Sequence, residues 1–338
     1  MVPRLDIVIP TIRDLTFLEA WRPHFAPHRI LVVQDGDPAR AVHIPDGYDA
    51  TCYTWDDIER LLGPDRWIIS KRDSACRCFG FLMATSRYVY TIDDDCYPAT
   101  DPSGEAVDPV AQHRHNLEAP SFQRYFNTLY DAEFVRGYPF GLRTGAPTAI
   151  SHGLWLNVAD LDAPTQMVRP LWRNTQYVDI VQSVPRGTLY PMSGMNLAFD
   201  QRLIGPAFYF GLMGEGQPLG RYDDLWAGWC AKAICDHLGY GVKSGKPYVW
   251  HERASDWRSN FVKEHQGILW QEELVPFFER LTFTGTTATA CYRELAQAVR
   301  RELPPLDPYF LKLAEAMEVW LHVWHRVKKT QVDAHEAG

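Results

Sequence analysis

The chain predicts an α/β fold: a doubly wound sheet flanked by helices, with a helical extension at its carboxyl end. Short apolar runs alternate with helix-spaced segments through the first hundred residues, the pattern of parallel strands joined by crossover helices. Those runs end in polar or acidic groups (Thr11, Asp35 and Asp93 to Asp95). Ligands of such sheets gather beyond the carboxyl ends of the strands. From about residue 270 onward the pattern turns helical.

The elements follow in order. "LDIVIP" (5–10) reads as a buried strand, and "TIRDLTFLEAWRPHF" as a turn and a helix. "RILVVQDGD" (29–37) is a second strand, "RWIIS" (66–70) a third and "RYVYTI" (87–92) the next, with "SACRCFGFLMATS" (74–86) helical before it. Residues 105–222 are broken by Pro and Gly and read as a second half-sheet with long site-forming loops. In "DDLWAGWCAKAICDHLG" (223–239) the apolar residues recur at three- and four-residue steps, and Gly239 stands where a helix stop is expected. "GKPYVWH" (245–251) is a short strand. In 307–327, Tyr309, Leu313, Met317, Trp320 and Trp324 form one stripe, a helix face packed on the body or a partner subunit. The last ten residues are expected to fray. One catalytic domain over 1–280 and a helical extension over 281–338 are expected.

Composition narrows the function classes. The 338 residues are 46% hydrophobic, enough for a sizeable core. Lys+Arg 34 against Asp+Glu 42 leaves a net charge of −8, which argues against a broad nucleic-acid surface. A local basic pocket for a small phosphate ligand stays compatible with it. No apolar run approaches the length of a membrane span, and "MVPRLDIVIP" lacks the layout of a signal peptide. A cytoplasmic location is therefore expected. The seven scattered cysteines include "CRC" at 76–78, the wrong spacing for a zinc knuckle, so free thiols are expected.

The chemistry concentrates in "YVYTIDDDCYPATDPSG" (88–104). Three adjacent carboxylates repel one another unless a cation or solvent compensates. At a strand end they suit Mg²⁺ or Mn²⁺ beside a diphosphate, because hard cations take oxygen ligands. Strand alternation points Asp93 and Asp95 the same way and Asp94 elsewhere. An acidic turn in solvent is the plain alternative. His251 in "YVWHERAS" is a candidate third metal ligand, although a lone histidine is usually structural. Lys71, Arg72 and Arg77 are cations suited to diphosphate oxygens, unless Arg77 only pairs with Asp93 or Asp94. Asp223 and Asp224 sit at a helix start, one free to cap and the other to meet sugar hydroxyls. Arg136 and Arg143 lie in the Gly-rich "FVRGYPFGLRTG", where phosphate or carboxylate binding is the default role for a guanidinium.

Many of these segments resemble one family. "DIVIPTIRD", "VVQDGDP", "DSACRCFG", "YTIDDDC", "FNTLYD", "FVRGYPF", "SHGLWLN", "DAPTQ", "GTLYPMSGMNLAFD", "GPAFYFGLMGEGQPLGRYDDLWAGWC" and "GILWQEE" are similar to the reversibly glycosylated polypeptides, over roughly residues 5–280. The resemblance implies a GT-A-like mixed sheet and interconversion of UDP-arabinopyranose and UDP-arabinofuranose with Mn²⁺ or Mg²⁺. It also implies glycosylation from UDP-sugars on an arginine, here Arg136 in "VRGYPF", and a second activity-linked arginine, here Arg143. The acidic triplet falls on Asp93, Asp94 and Asp95. On this reading Thr11, Asp35 and Arg72 hold uridine and its phosphates, and Asp223 or Asp224 serves the sugar hydroxyls. A homo-oligomer is expected. Rival readings are a glycosyltransferase passing sugar from UDP to an external acceptor, and a non-catalytic subunit that binds UDP-sugar and scaffolds a partner.

Overall fold

A computed structural model describes residues 4–37, 39–129, 133–170, 172–252 and 256–336. The end of the "FNTLYD" segment, Tyr130 and Asp131, lies outside them. In chain order the elements are β1 (Asp6–Thr11), α1 (Leu18–Phe25), β2 (Arg29–Gln34), β3 (Asp49–Tyr53), α2 (Trp55–Leu62), α3 (Cys78–Met83), β4 (Tyr88–Ile92) and β5 (Cys96–Pro98). There follow α4 (Pro109–Glu118), β6 (Thr148–Val158), α5 (Ala163–Val168), β7 (Arg173–Asn174), β8 (Val181–Ser183), β9 (Asn196–Asp200) and α6 (Asp223–Leu238). The chain closes with β10 (Gly241–His251), α7 (Trp257–Arg280), α8 (Ala288–Glu302) and α9 (Tyr309–Glu336).

The main sheet runs β3-β2-β1-β4-β9-β6-β10-β5. Strands β3, β2, β1 and β4 are parallel, β9 runs against both β4 and β6, and β10 lies parallel to β6. This is a mixed sheet, a parallel half joined to a second half through one reversed strand. Every residue of β1 is buried because both faces of the sheet are covered. Its alternation divides the core: Val8 faces Leu31, Phe81, Phe199 and the carboxyl-terminal helices, while Ile7 and Ile9 face Trp21, Phe25 and Tyr90. Helix α3 approaches β1 so closely that a Cβ at Gly80 would lie 2.5 Å from a Val8 methyl carbon.

Two expectations need correction. "RWIIS" is not a strand: its first half closes a 3₁₀ turn over Gly63–Ile68, and Ile68 and Ile69 plug the core without joining the ladder. The third parallel strand is β3, "DATCY", a half-exposed edge strand that needs little apolar character. At the other end, where fraying is expected over the last ten residues, α9 stays helical to Glu336, and 337 and 338 lie outside the described residues. Its stripe packs on the body. Trp320 stacks on Tyr209 with centroids 4.9 Å apart and donates to the Pro206 carbonyl at 3.0 Å, and the Tyr309 hydroxyl donates to the Leu212 carbonyl at 2.7 Å.

Candidate functional site

The acidic residues form the turn between β4 and β5. Strand β5 pairs antiparallel with the end of β10, setting Cys96 opposite His251. That register brings the Asp95 Oδ1 within 3.7 Å of the His251 Nε2. The other ring nitrogen, Nδ1, lies 2.8 Å from the Val158 carbonyl, which only accepts. Nδ1 therefore carries a proton and donates to that carbonyl, which leaves Nε2 facing Asp95. Asp93 receives the Arg77 guanidinium, and Asp94 receives the Thr11 hydroxyl at 2.5 Å and Arg13 at 3.1 Å. Arg13 also lies 4.0 Å from Asp95. Burial, then the neighbouring Asp93, push the Asp95 carboxyl up to about 6, against the pull of His251.

Asp93, Asp95 and His251 line a cavity of about 500 Å³ together with Asp223 and Asp224. The last two open α6. Asp223 accepts from the Ser74 hydroxyl at 3.0 Å, and Asp224 accepts from the Gly194 amide at 2.6 Å. Burial raises both carboxyls, Asp224 further because Asp223 adjoins it; Arg77 partly offsets the rise at Asp223. Asp73, beside Ser74, is pushed up to about 7 by burial and then by Asp223. Cations face these acids across the cavity. Arg221 holds the buried Glu264 at 2.7 Å, and Arg169, Arg173 and Lys263 line the same space. Glu264 in turn accepts from the Ala163 amide at 2.7 Å, fixing α5 against α7.

The sequence pattern of the reversibly glycosylated polypeptides matches residues 2–329. The chain belongs to that family. Relatives of this reversibly glycosylated polypeptide include UDP-arabinopyranose mutase 1 of Arabidopsis thaliana, 58% identical over 95% of this chain and 92% of that protein. The probable UDP-arabinopyranose mutase 1 of Solanum tuberosum is 58% identical over 95% of this chain and 90% of its own. Among solved structures, S. aureus TarS 1–349 in complex with UDP-GlcNAc aligns over 98% of this chain and 92% of that one, at 11% identity and a TM-score of 0.46.

The structure gathers Asp93, Asp95, His251, Asp223 and Asp224, and it sends other expected residues elsewhere. Arg77 does not face the cavity. It is 1% exposed and spends its donors on the Ser74 and Gly194 carbonyls, the Thr91 hydroxyl and Asp93, so it positions Asp93 and meets no diphosphate. Asp94 turns to Thr11 and away from the cavity, set by the turn between β4 and β5 and not by strand alternation, since residues 93–95 lie outside any strand. Asp35 accepts from the Trp55 indole at 2.9 Å and the Asp73 amide at 2.7 Å, which fills its carboxylate with protein donors. Lys71 lies over the Trp55 ring, 4.7 Å from its centroid, and the exposed Arg72 pairs with Glu215 at 3.0 Å. Neither lines the acidic cavity. Arg136 and Arg143 are also absent from it: Arg136 is exposed on the loop before β6, and Arg143 lines a separate cavity.

Arg13, Asp73 and Arg221 were missed. Arg13 follows the end of β1 by two residues, so the strand-end rule that selected Thr11 could have found it. Asp73 and Arg221 carry no local signal, because their roles come from contacts distant in sequence. Among the described residues no three His, Cys, Asp or Glu side chains are gathered tightly enough to hold a metal ion. A divalent cation nevertheless fits in one way. Asp95 and His251 set a carboxylate oxygen and a ring nitrogen 3.7 Å apart, both donor types that divalent cations accept, with the Val158 carbonyl orienting the ring through Nδ1. Two protein ligands leave the rest of the shell to diphosphate oxygens. Among the described residues no helix is long and apolar enough to cross a membrane.

Proposed function

We propose that the chain is a UDP-arabinopyranose mutase, interconverting UDP-arabinopyranose and UDP-arabinofuranose in the acidic cavity. The observation that carries this reading is 58% identity, over 95% of the chain, to a protein of that name. The cavity's chemistry supports it. Ring contraction requires the C1–O bond to UDP to break, O4 to bond to C1, and the C1–O5 bond to open as UDP returns. O4 loses a proton and O5 gains one, so a carboxyl that takes and returns a single proton closes the balance. Asp223 is buried and the adjacent Asp224 partly so, and burial raises both carboxyls, Asp224 further through Asp223, which suits the pair to pass a single proton. Arg13 and Arg221 offer charge-assisted donors to the diphosphate. The enclosing residues hold UDP beside C1, which favours recapture over loss to water.

Asp95 and His251 are the residues that would hold Mn²⁺ or Mg²⁺, which when bound supplies positive charge against the departing diphosphate. Self-glycosylation on Arg136 belongs to the same reading: its nitrogen replaces UDP at C1, and the guanidinium proton leaves to a carboxylate. The test is incubation of the purified protein with UDP-arabinopyranose and Mn²⁺, without acceptor, followed by chromatography of the nucleotide sugars. A UDP-arabinofuranose peak is expected, and Asp95→Asn abolishes it while the melting temperature stays within a few degrees. Free UDP alone, sugar transfer only with an added acceptor, or full activity in Asp95→Asn overturns the reading.

A further inference from the structure

A second cavity, about 720 Å³, shares no lining residue with the acidic one. It is bounded by α4, the loop before β6, and the first half of β10. Three cations enter it from two segments: Arg143 from the loop, and Lys243 and Lys246 from β10. The carboxylates in its lining are Glu133 and Asp179. We propose that this cavity binds a small phosphorylated ligand, separately from the acidic cavity and without a divalent cation.

Arg143 carries the argument. Its guanidinium carbon lies 3.8 Å from the Phe140 ring centroid and 5.0 Å from that of Phe134, so two aromatic rings fix the plane of the fork. One terminal nitrogen donates to the Tyr138 carbonyl at 3.3 Å. The Nε is buried with no hydrogen-bond partner among the described residues. A buried donor left without an acceptor costs about 1–3 kcal/mol, more when charged. The Nε is closed off from the cavity, so the terminal N–H groups of Arg143 are the donors it offers an anion there. Lys243 is buried and donates to the Ala119 carbonyl at 3.1 Å. Lys246 meets Asp179 at 2.6 Å, but that carboxylate is 73% exposed. An exposed pair of this kind contributes little and exchanges readily for a better acceptor.

The ligand class follows from charge and shape. Arg143, Lys243 and Lys246 against Glu133 and Asp179 leave the lining one positive charge in excess, which favours an anion. Arginine's planar fork suits phosphate oxygens. Phe122 and Phe134 meet edge to face at 5.2 Å and offer an apolar wall to a base or sugar. In the acidic cavity carboxylates outnumber cations, whereas here the cations outnumber Glu133 and Asp179.

The test is titration calorimetry of the full chain with inorganic pyrophosphate in EDTA, paired with acetylation of lysines read by peptide mass spectrometry. One pyrophosphate per chain is expected, bound at least ~10-fold more weakly by Arg143→Ala and Lys246→Ala and equally well by Asp223→Asn. Pyrophosphate is expected to slow acetylation of Lys246. No binding in EDTA overturns the proposal, as does binding lost in Asp223→Asn yet kept in Arg143→Ala. If a variant fails to fold, Lys246 in the wild-type chain decides: acetylation unchanged by pyrophosphate removes the site.

Discussion

Asp73 shows how single residues in this protein are held in unusual ionisation states by groups far away in sequence. Its Oδ1 accepts from the Ala75 amide at 3.0 Å, while burial and Asp223 raise its carboxyl from 3.8 to about 7. In the unfolded chain Asp73 releases its proton near pH 4, whereas in the folded chain it keeps it to about pH 7. The folded state then binds more protons across that interval, so its contribution to stability is fully present below pH 4 and is lost as pH rises to 7. Asp73→Asn keeps the acceptor oxygen and removes the titration. Melting curves are expected to superimpose for the two proteins near pH 4. At pH 8 the variant should be the more stable by roughly 2 kcal/mol, discounted for a partly exposed carboxyl. Equal stability at both ends would show that Asp73 ionises normally. The same physics answers why three aspartates stand in a row. Asp93 is matched by Arg77, Asp94 by Thr11 and Arg13, and Asp95 faces His251.

At the level of elements, the segment entering β9 ties the acids together. The Gly194 carbonyl accepts from Arg77 at 2.7 Å while its amide donates to Asp224 at 2.6 Å, so one residue orients Asp224 directly and Asp93 through Arg77. A Cβ at Gly194 would lie 2.9 Å from an Arg77 nitrogen and 3.1 Å from its guanidinium carbon. Gly194→Ala is therefore expected to displace Arg77 from Asp93, lower turnover at least ~100-fold and cost about 1–3 kcal/mol of stability. Gly141→Ala, where a Cβ meets nothing within 4 Å, is the control that changes neither. Unaltered conversion by Gly194→Ala would remove Arg77 and Gly194 from the machinery. The strands β1, β2 and β4 and the acids at their ends were legible in the sequence because apolar runs and turn signals are local. So was α6, with Gly239 in the left-handed conformation at φ 76°. The pairing of β5 with β10 was not, since a three-residue strand carries no periodicity, yet it is this pairing that brings His251 to Asp95. Strand β3 escaped for the opposite reason: an edge strand buries little and reads as polar. Arg77 carried two readings, because an arginine's sequence context does not reveal whether the protein will take up all its donors.

Across the whole molecule, the geometry separates the arginine expected to be glycosylated from the cavity expected to glycosylate it. The loop bearing Arg136 feeds the amino end of β6, whereas the acidic cavity receives the carboxyl end of that strand at Val158. Ten strand steps at ~3.3 Å make a span of about 30 Å. Arg136 is itself exposed, and Phe140 on the same loop is 81% exposed, so the segment is presented outward. Its positive charge complements the carboxylates of the acidic cavity. Transfer to Arg136 is therefore expected to occur between two copies of the chain, one supplying the cavity and the other the loop. An Asp95→Asn chain, unable to catalyse, is mixed with an Arg136→Lys chain of different tag size in the presence of radiolabelled UDP-arabinopyranose and Mn²⁺. Label should appear on the Asp95→Asn chain, at Arg136, and only in the mixture. For the wild-type protein the initial rate per chain should rise with protein concentration below the point where copies are fully associated. A per-chain rate independent of concentration, with the mixture unlabelled, would place the reaction within one chain and require the loop to refold across the sheet. Label on neither protein, wild type included, would instead remove arginine glycosylation while leaving the mutase reaction in the acidic cavity standing.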